Sequence, residues 1–117
     1  MDNIEKINYQ KLLKDMKEMI IKCLIDKNIP VKKVILFGSR ARKDFNKESD
    51  YDLLILLNKS LDPMEKKEIW LLVKSLLHKY YKTLSFDIIV KSFKTYEIEK
   101  KIVNTISNET YLEGIEL

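Results

Sequence analysis

The sequence contains one cysteine, one histidine, two glycines and two prolines in 117 residues, and each scarcity excludes something. A single thiol, Cys23, cannot close an intrachain disulfide, and without a cluster of cysteine and histidine there is no ligand set for zinc. Cys23 falls on the apolar stripe of a predicted helix and reads as a small packing residue rather than a nucleophile. His78, with no acidic or cysteine companion, reads as a helix-end residue. No apolar run approaches the roughly 18 residues that cross a bilayer; Leu53–Leu57 is of strand length. The polar start, with Asp2, Glu5 and Lys6, is no secretory signal, so the expected location is the cytoplasm.

Arginine is the most telling scarcity. The net charge is +4 and the isoelectric point about 9.0, yet 22 basic residues stand beside 18 acidic ones and form no run of five. A lysine-coated surface accounts for that balance, and direct nucleic-acid binding is not expected. All but two of those 22 basic residues are lysine, and the exceptions, Arg40 and Arg42, directly follow Gly38-Ser39. Guanidinium is a planar fork that suits phosphate oxygens, whereas ammonium is a point charge. The other glycine, Gly114, lies near the C-terminus.

What is present fits one domain over residues 1–117, large enough for a core. Leu12, Leu13, Met16, Met19, Ile20, Cys23 and Leu24 predict an amphipathic helix over residues 9–27, ended by Asn28 and Pro30. Val34–Phe37 reads as a buried strand stopped by Gly38, residues 39–43 as a brief helical turn and 44–49 as a polar loop. Tyr51–Leu57 is apolar on both faces, hence a central strand. Asp62-Pro63-Met64-Glu65 starts a helix running to Tyr80. Residues 83–90 predict a third strand. Ser92 caps a last helix over residues 93–107 that packs through Tyr96, Ile98, Ile102, Val103 and Ile106. Trp70, Tyr80 and Tyr81 read as packing residues, and residues 108–117 are left unassigned. The expected class is α+β, a small mixed β-sheet with helices packed on it.

Asp50 and Asp52 carry the chemistry. Two residues apart in a strand, they share a face with Cα atoms about 6.5 Å apart, while Tyr51 points to the core. Paired carboxylates beside Leu53-Leu54-Ile55 are costly without a cation, and an all-oxygen set favours Mg²⁺ or Mn²⁺. Asp87, amid Phe86 and Ile88-Ile89-Val90, is expected to be buried and to join them; the competing reading is a salt bridge to Lys82 or Lys91. Gly38 permits a tight turn and Ser39 a hydroxyl at a helix start, a combination that attracts anions.

Gly38-Ser39-Arg40-Ala41-Arg42, Ser49-Asp50-Tyr51-Asp52-Leu53 and Asp87 together resemble the signature of the DNA polymerase β-like nucleotidyltransferases. The wording is most similar to the minimal nucleotidyltransferase (MNT) branch, whose members are often antitoxins paired with HEPN-domain RNases. The resemblance covers residues 34–90 and departs at Lys43, where many relatives have glycine. It implies that Asp50, Asp52 and Asp87 bind two Mg²⁺ ions, or Mn²⁺, and that Asp87 faces the acceptor hydroxyl. It further implies that Gly38 and Ser39, helped by Arg40 or Arg42, hold the triphosphate of ATP.

The expectation is therefore an enzyme that moves AMP onto a protein hydroxyl, in the family a tyrosine of the HEPN toxin. A chain this small leaves little surface beyond the triphosphate site, so the acceptor must bring its own recognition surface. An oligomer with that toxin is the expected assembly. Two alternatives stand beside it: an antitoxin acting by contact with an idle site, and a subunit that modifies antibiotics.

Overall fold

The computed structural model describes residues 2–117. Helix α1 spans Asn3–Ile25 and begins where the Asp2 side chain accepts the Glu5 N–H at 2.7 Å. It starts earlier than the apolar pattern indicates, because only Met16, Ile20 and Leu24 are fully buried and the first turns lie in solvent. Strand β1 is Val31–Phe37, and β2 is Tyr51–Leu57, the span expected from sequence. A four-residue turn of helix, α2, occupies Ser39–Arg42 between them. Helix α3 spans Pro63–Tyr80, with Asp62 accepting from the Glu65 N–H at 2.8 Å and proline in the first turn.

Strand β3 is Phe86–Ser92, shifted towards the C-terminus relative to the expected strand. Its end is also a helix start, since Ser92 accepts from the Thr95 N–H and opens α4, Phe93–Glu99. The single last helix expected over residues 93–107 is broken. Asn104 takes a φ of 69°, and Thr105 caps a separate helix, α5, Ile106–Glu113. Two threonine hydrogen bonds account for the break: its hydroxyl donates to the Ile102 carbonyl at 2.8 Å and accepts from the Asn108 N–H at 3.0 Å. Of the packing stripe expected there, only Tyr96 is buried; Ile98, Ile102, Val103 and Ile106 are exposed. The unassigned tail supplies the rest of α5 and a short strand, β4, Ile115–Glu116.

The sheet order is β3-β2-β1-β4, with β1 antiparallel to β2 and β4, and β2 parallel to β3 across α3. Alternation along β2 divides the interior. Leu53, Ile55 and Leu57 join Met16, Ile20, Leu24, Ile69, Val73 and Leu77 beneath α1 and α3. Leu54 and Leu56 face the other way, with Ile35, Phe37 and Tyr96. The open side of β3 is answered by α3: Trp70 Nε1 donates to the Ile88 carbonyl at 2.9 Å, and Lys74 Nζ to the Phe86 carbonyl. Lys91, half-buried, ties β3 to the broken helix through Glu99 at 2.8 Å and Ser107 Oγ at 3.0 Å. Among the described residues no helix is long and apolar enough to cross a membrane.

Burial separates the two kinds of apolar residue. Leu53→Ala is expected to cost about 2–5 kcal/mol in urea unfolding, and Ile102→Ala less than about 0.5 kcal/mol. Equal losses would restore the continuous last helix.

Candidate active site

Three chain segments end at one rim of the sheet. In the β1–β2 ladder Phe37 stands opposite Asp52, so β1 ends and Gly38 turns the chain beside that aspartate. In the β2–β3 ladder Asp52 stands opposite Asp87. Strands in a sheet are about 4.8 Å apart and paired residues share a face, so register alone brings Asp87 to Asp52. Asp50 precedes β2 and is exposed. Asp87 is exposed too, in contrast to its expected burial, because β3 starts only at Phe86 and the aspartate stands at the strand mouth rather than mid-strand. The competing salt bridge is absent among the described residues, since Lys91 is paired with Glu99.

Gly38 is required for two reasons. Its φ is 71°, where side chains are disfavoured, and a Cβ on it would lie 2.0 Å from Asp52 Oδ2. The Asp52 carboxylate therefore rests against bare backbone. Half-burial raises its pKa above the usual carboxylate range, and the neighbouring charges of Asp87, then Asp50, then Glu109 raise it further; Arg42 opposes them weakly. The α2 turn that follows Gly38 has no side-chain cap, so no side chain satisfies its first N–H groups.

The two arginines part company. The resemblance offers Arg40 or Arg42 for the triphosphate, and the structure engages Arg40 with the chain itself. Its side chain is buried; Nε donates to the Ser49 carbonyl at 3.0 Å and Nη2 reaches the carbonyls of Asn46 and Lys47 at 3.4 Å. Its guanidinium lies 3.8 Å from the ring centre of Tyr51 and 4.7 Å from that of Phe45. It organises the loop that delivers Asp50, and Tyr51 takes the core position expected from strand parity. Arg42 is half-exposed and surrounded by carboxylates: Asp44 at 3.4 Å, and Glu109 and Glu113 each at 3.6 Å. Asp44 first, then Glu113, hold its charge even more firmly than usual. Glu109 and Glu113 come from α5, in the stretch to which the sequence pattern gives no element. Nothing in that stretch signals that they reach the rim.

Among the described residues no three acidic, histidine or cysteine side chains converge closely enough to form a ready metal cage. The donor chemistry nevertheless fits a hard divalent ion. The set is all oxygen, and its central member, Asp52, is disfavoured in its charged form by like charges, a penalty that a cation would remove.

Residues 18–110 match the family described as Polymerase beta, Nucleotidyltransferase. A Methanocaldococcus jannaschii protein provisionally named protein adenylyltransferase MJ0141 is 37% identical over 90 residues, which are 77% of this chain and 88% of that protein. Two solved structures share the fold. A toxin–antitoxin with AMP-PNP has a TM-score of 0.54 at 22% identity, covering 85% of this chain and 69% of its own. A mutant of the toxin–antitoxin MntA-HpeT has a TM-score of 0.51 at 17% identity, covering 83% and 68%.

Two measurements test this geometry. A carboxyl whose folded pKa is raised contributes most when protonated, and that contribution is lost as pH rises through its folded value. Asp52→Asn, uncharged at every pH, is therefore expected to raise the Tm at pH 7 without divalent ions; a lowered Tm would contradict the repulsion. Arg40→Lys loses the fork and is expected to cost about 1.5–3 kcal/mol in urea unfolding. Arg42→Lys, at the surface, is expected to cost less than about 1 kcal/mol.

Proposed function

The chain belongs to the polymerase beta nucleotidyltransferase family, and from that premise we propose that it transfers AMP from ATP to a hydroxyl of a partner protein. The observation that carries this reading is the register of Asp52 with Asp87 at the strand end that Gly38 turns. A structural carboxylate needs no glycine to make room for it, nor a second aspartate beside it.

Asp50, Asp52 and Asp87 would hold the divalent ions, which when bound neutralise the reacting phosphates and lower the pKa of the attacking hydroxyl. Gly38 lets the backbone approach the triphosphate closely, and Ser39 Oγ with the first N–H groups of α2 hold its outer phosphates. Arg42 is the guanidinium on that side, and the phosphates take over from Glu109 and Glu113 as its partners. The acceptor oxygen attacks the α-phosphorus in line, the bond from that phosphorus to the bridging oxygen breaks, and pyrophosphate leaves. Asp87, exposed at the strand mouth, receives the hydroxyl proton directly or through water.

The protein acceptor is supported by the relative named as a protein adenylyltransferase, and ATP by the AMP-PNP of the structural neighbour. Both neighbours are toxin–antitoxin pairs, which supports a toxin as partner, in the MNT branch one with a HEPN domain whose tyrosine accepts the AMP. In that reading the chain is the antitoxin and inactivates its partner covalently.

With ATP labelled at the α-phosphate and a HEPN partner, the wild-type chain is expected to label the partner and silence its RNase activity. Asp50→Asn and Asp52→Asn are each expected to abolish labelling, a loss of at least about 10³-fold, while the fold persists by circular dichroism. Labelling retained by either variant would remove that aspartate from the site. Silencing retained by the unlabelling variants would favour inhibition by contact.

A further inference from the structure

On the opposite side of the sheet from the carboxylates lies a half-open cavity of about 450 Å³ between α1, β1, α2 and β4. Its volume is that of a small-molecule site. Leu13, Leu36 and Ile115 make an aliphatic floor, and Tyr9 and Phe45, stacked with ring centres 5.5 Å apart, make an aromatic wall. The charged lining is of one sign. Lys6 and Lys43 border the cavity with Arg40, no acidic residue lines it, and neither lysine forms an ion pair among the described residues. An apolar chamber with an unopposed cationic rim has the complement of a molecule with a ring body and one anionic group.

One feature of the wall is unexplained by folding alone, and a second sets a charge beside it. Tyr9 Oη is buried and, among the described residues, is the side-chain polar atom left without a hydrogen-bond partner. Lys43 is held at a φ of 66°, a conformation that glycine adopts freely. The other non-glycine residues with positive φ, Asn28 and Asn104, are asparagines, which tolerate it. Lys43 closes α2 there as its left-handed C-cap, its N–H donating to the Ser39 carbonyl, and lysine rather than glycine at that position puts a cationic side chain in the cavity lining. Arg40 adds a link to the reaction site, because the residue that walls the cavity also holds the carbonyls of the loop before Asp50.

We propose that this cavity binds a small aromatic anion, a ring system bearing a carboxylate or phosphate, with Lys43 and Lys6 on the anionic group and the rings against Tyr9 and Phe45. The site is separate from the nucleotide site and does not depend on the transfer chemistry. Occupancy bears on the loop through Arg40.

The test uses the full chain, 1-naphthoate as probe and amide chemical shifts as readout, without divalent ions. Saturable one-to-one binding is expected, with shifts centred on Tyr9, Leu13, Lys43 and Phe45. Lys43→Gly relieves the strained backbone, so its Tm is expected to be unchanged or higher while probe affinity falls about tenfold, the equivalent of 1.4 kcal/mol. Leu13→Trp, which fills the chamber, is expected to abolish binding. Shifts centred on Ser39 and Asp52, binding without saturation, or undiminished affinity in Lys43→Gly would each overturn the proposal. Since no nucleotide is used, these outcomes are independent of whether AMP transfer is observed.

Discussion

The repulsion among Asp50, Asp52 and Asp87 is the constraint around which the rest of the chain is arranged. Asp52 is half-buried against Gly38 with Asp87 one strand away, so its charge is disfavoured by both desolvation and its neighbours. A fold tolerates such a group only if the scaffold beneath is stable without it. Here Leu53 to Leu57 are all fully buried, and both faces of β2 are covered. The aliphatic strand supplies stability on one side of Asp52, and the strand end gives solvent and ligand access on the other.

The arginines show how similar sequence context divides into different work. Two residues apart on a single turn of helix, they project to different environments. Arg40 meets aromatic rings and backbone carbonyls under the sheet, whereas Arg42 meets the acids of α5 at the rim. Arg40 needs a guanidinium rather than an ammonium for its flat stacking face and fork, whereas Arg42 uses its several donors at the surface. A chain otherwise built with lysine retains arginine where planarity counts, and that need is not confined to phosphate.

The C-terminal stretch carries the largest departure from local expectation. Residues 93–107 have enough apolar side chains for one helix, but Thr105 offers the backbone a cap, and Asn104 takes the left-handed turn that precedes it. Once broken, the chain folds back, and α5 brings Glu109 and Glu113 to Arg42 before β4 closes the sheet edge. Gly114 allows that closure, since a Cβ on it would lie 2.6 Å from Ile35 Cγ2. The exposed Ile98, Ile102 and Val103 follow from the same break.

Central strand β2, the capped start of α3 and the glycine turn were legible in the residues, because each rests on neighbours in the chain: alternation, an acceptor before proline, a residue without Cβ. The pairing of aspartates on β2 and β3 was legible in part, as a spacing whose meaning required a register. What only the tertiary structure decided was depth and direction. Asp87 lies exposed because β3 begins late, Arg40 turns inward because rings and carbonyls await it there, and two glutamates arrive from a stretch with no local signal. Local propensity sets which elements form, but charge and burial depend on what distant segments place beside a side chain, and no spacing along the chain encodes that.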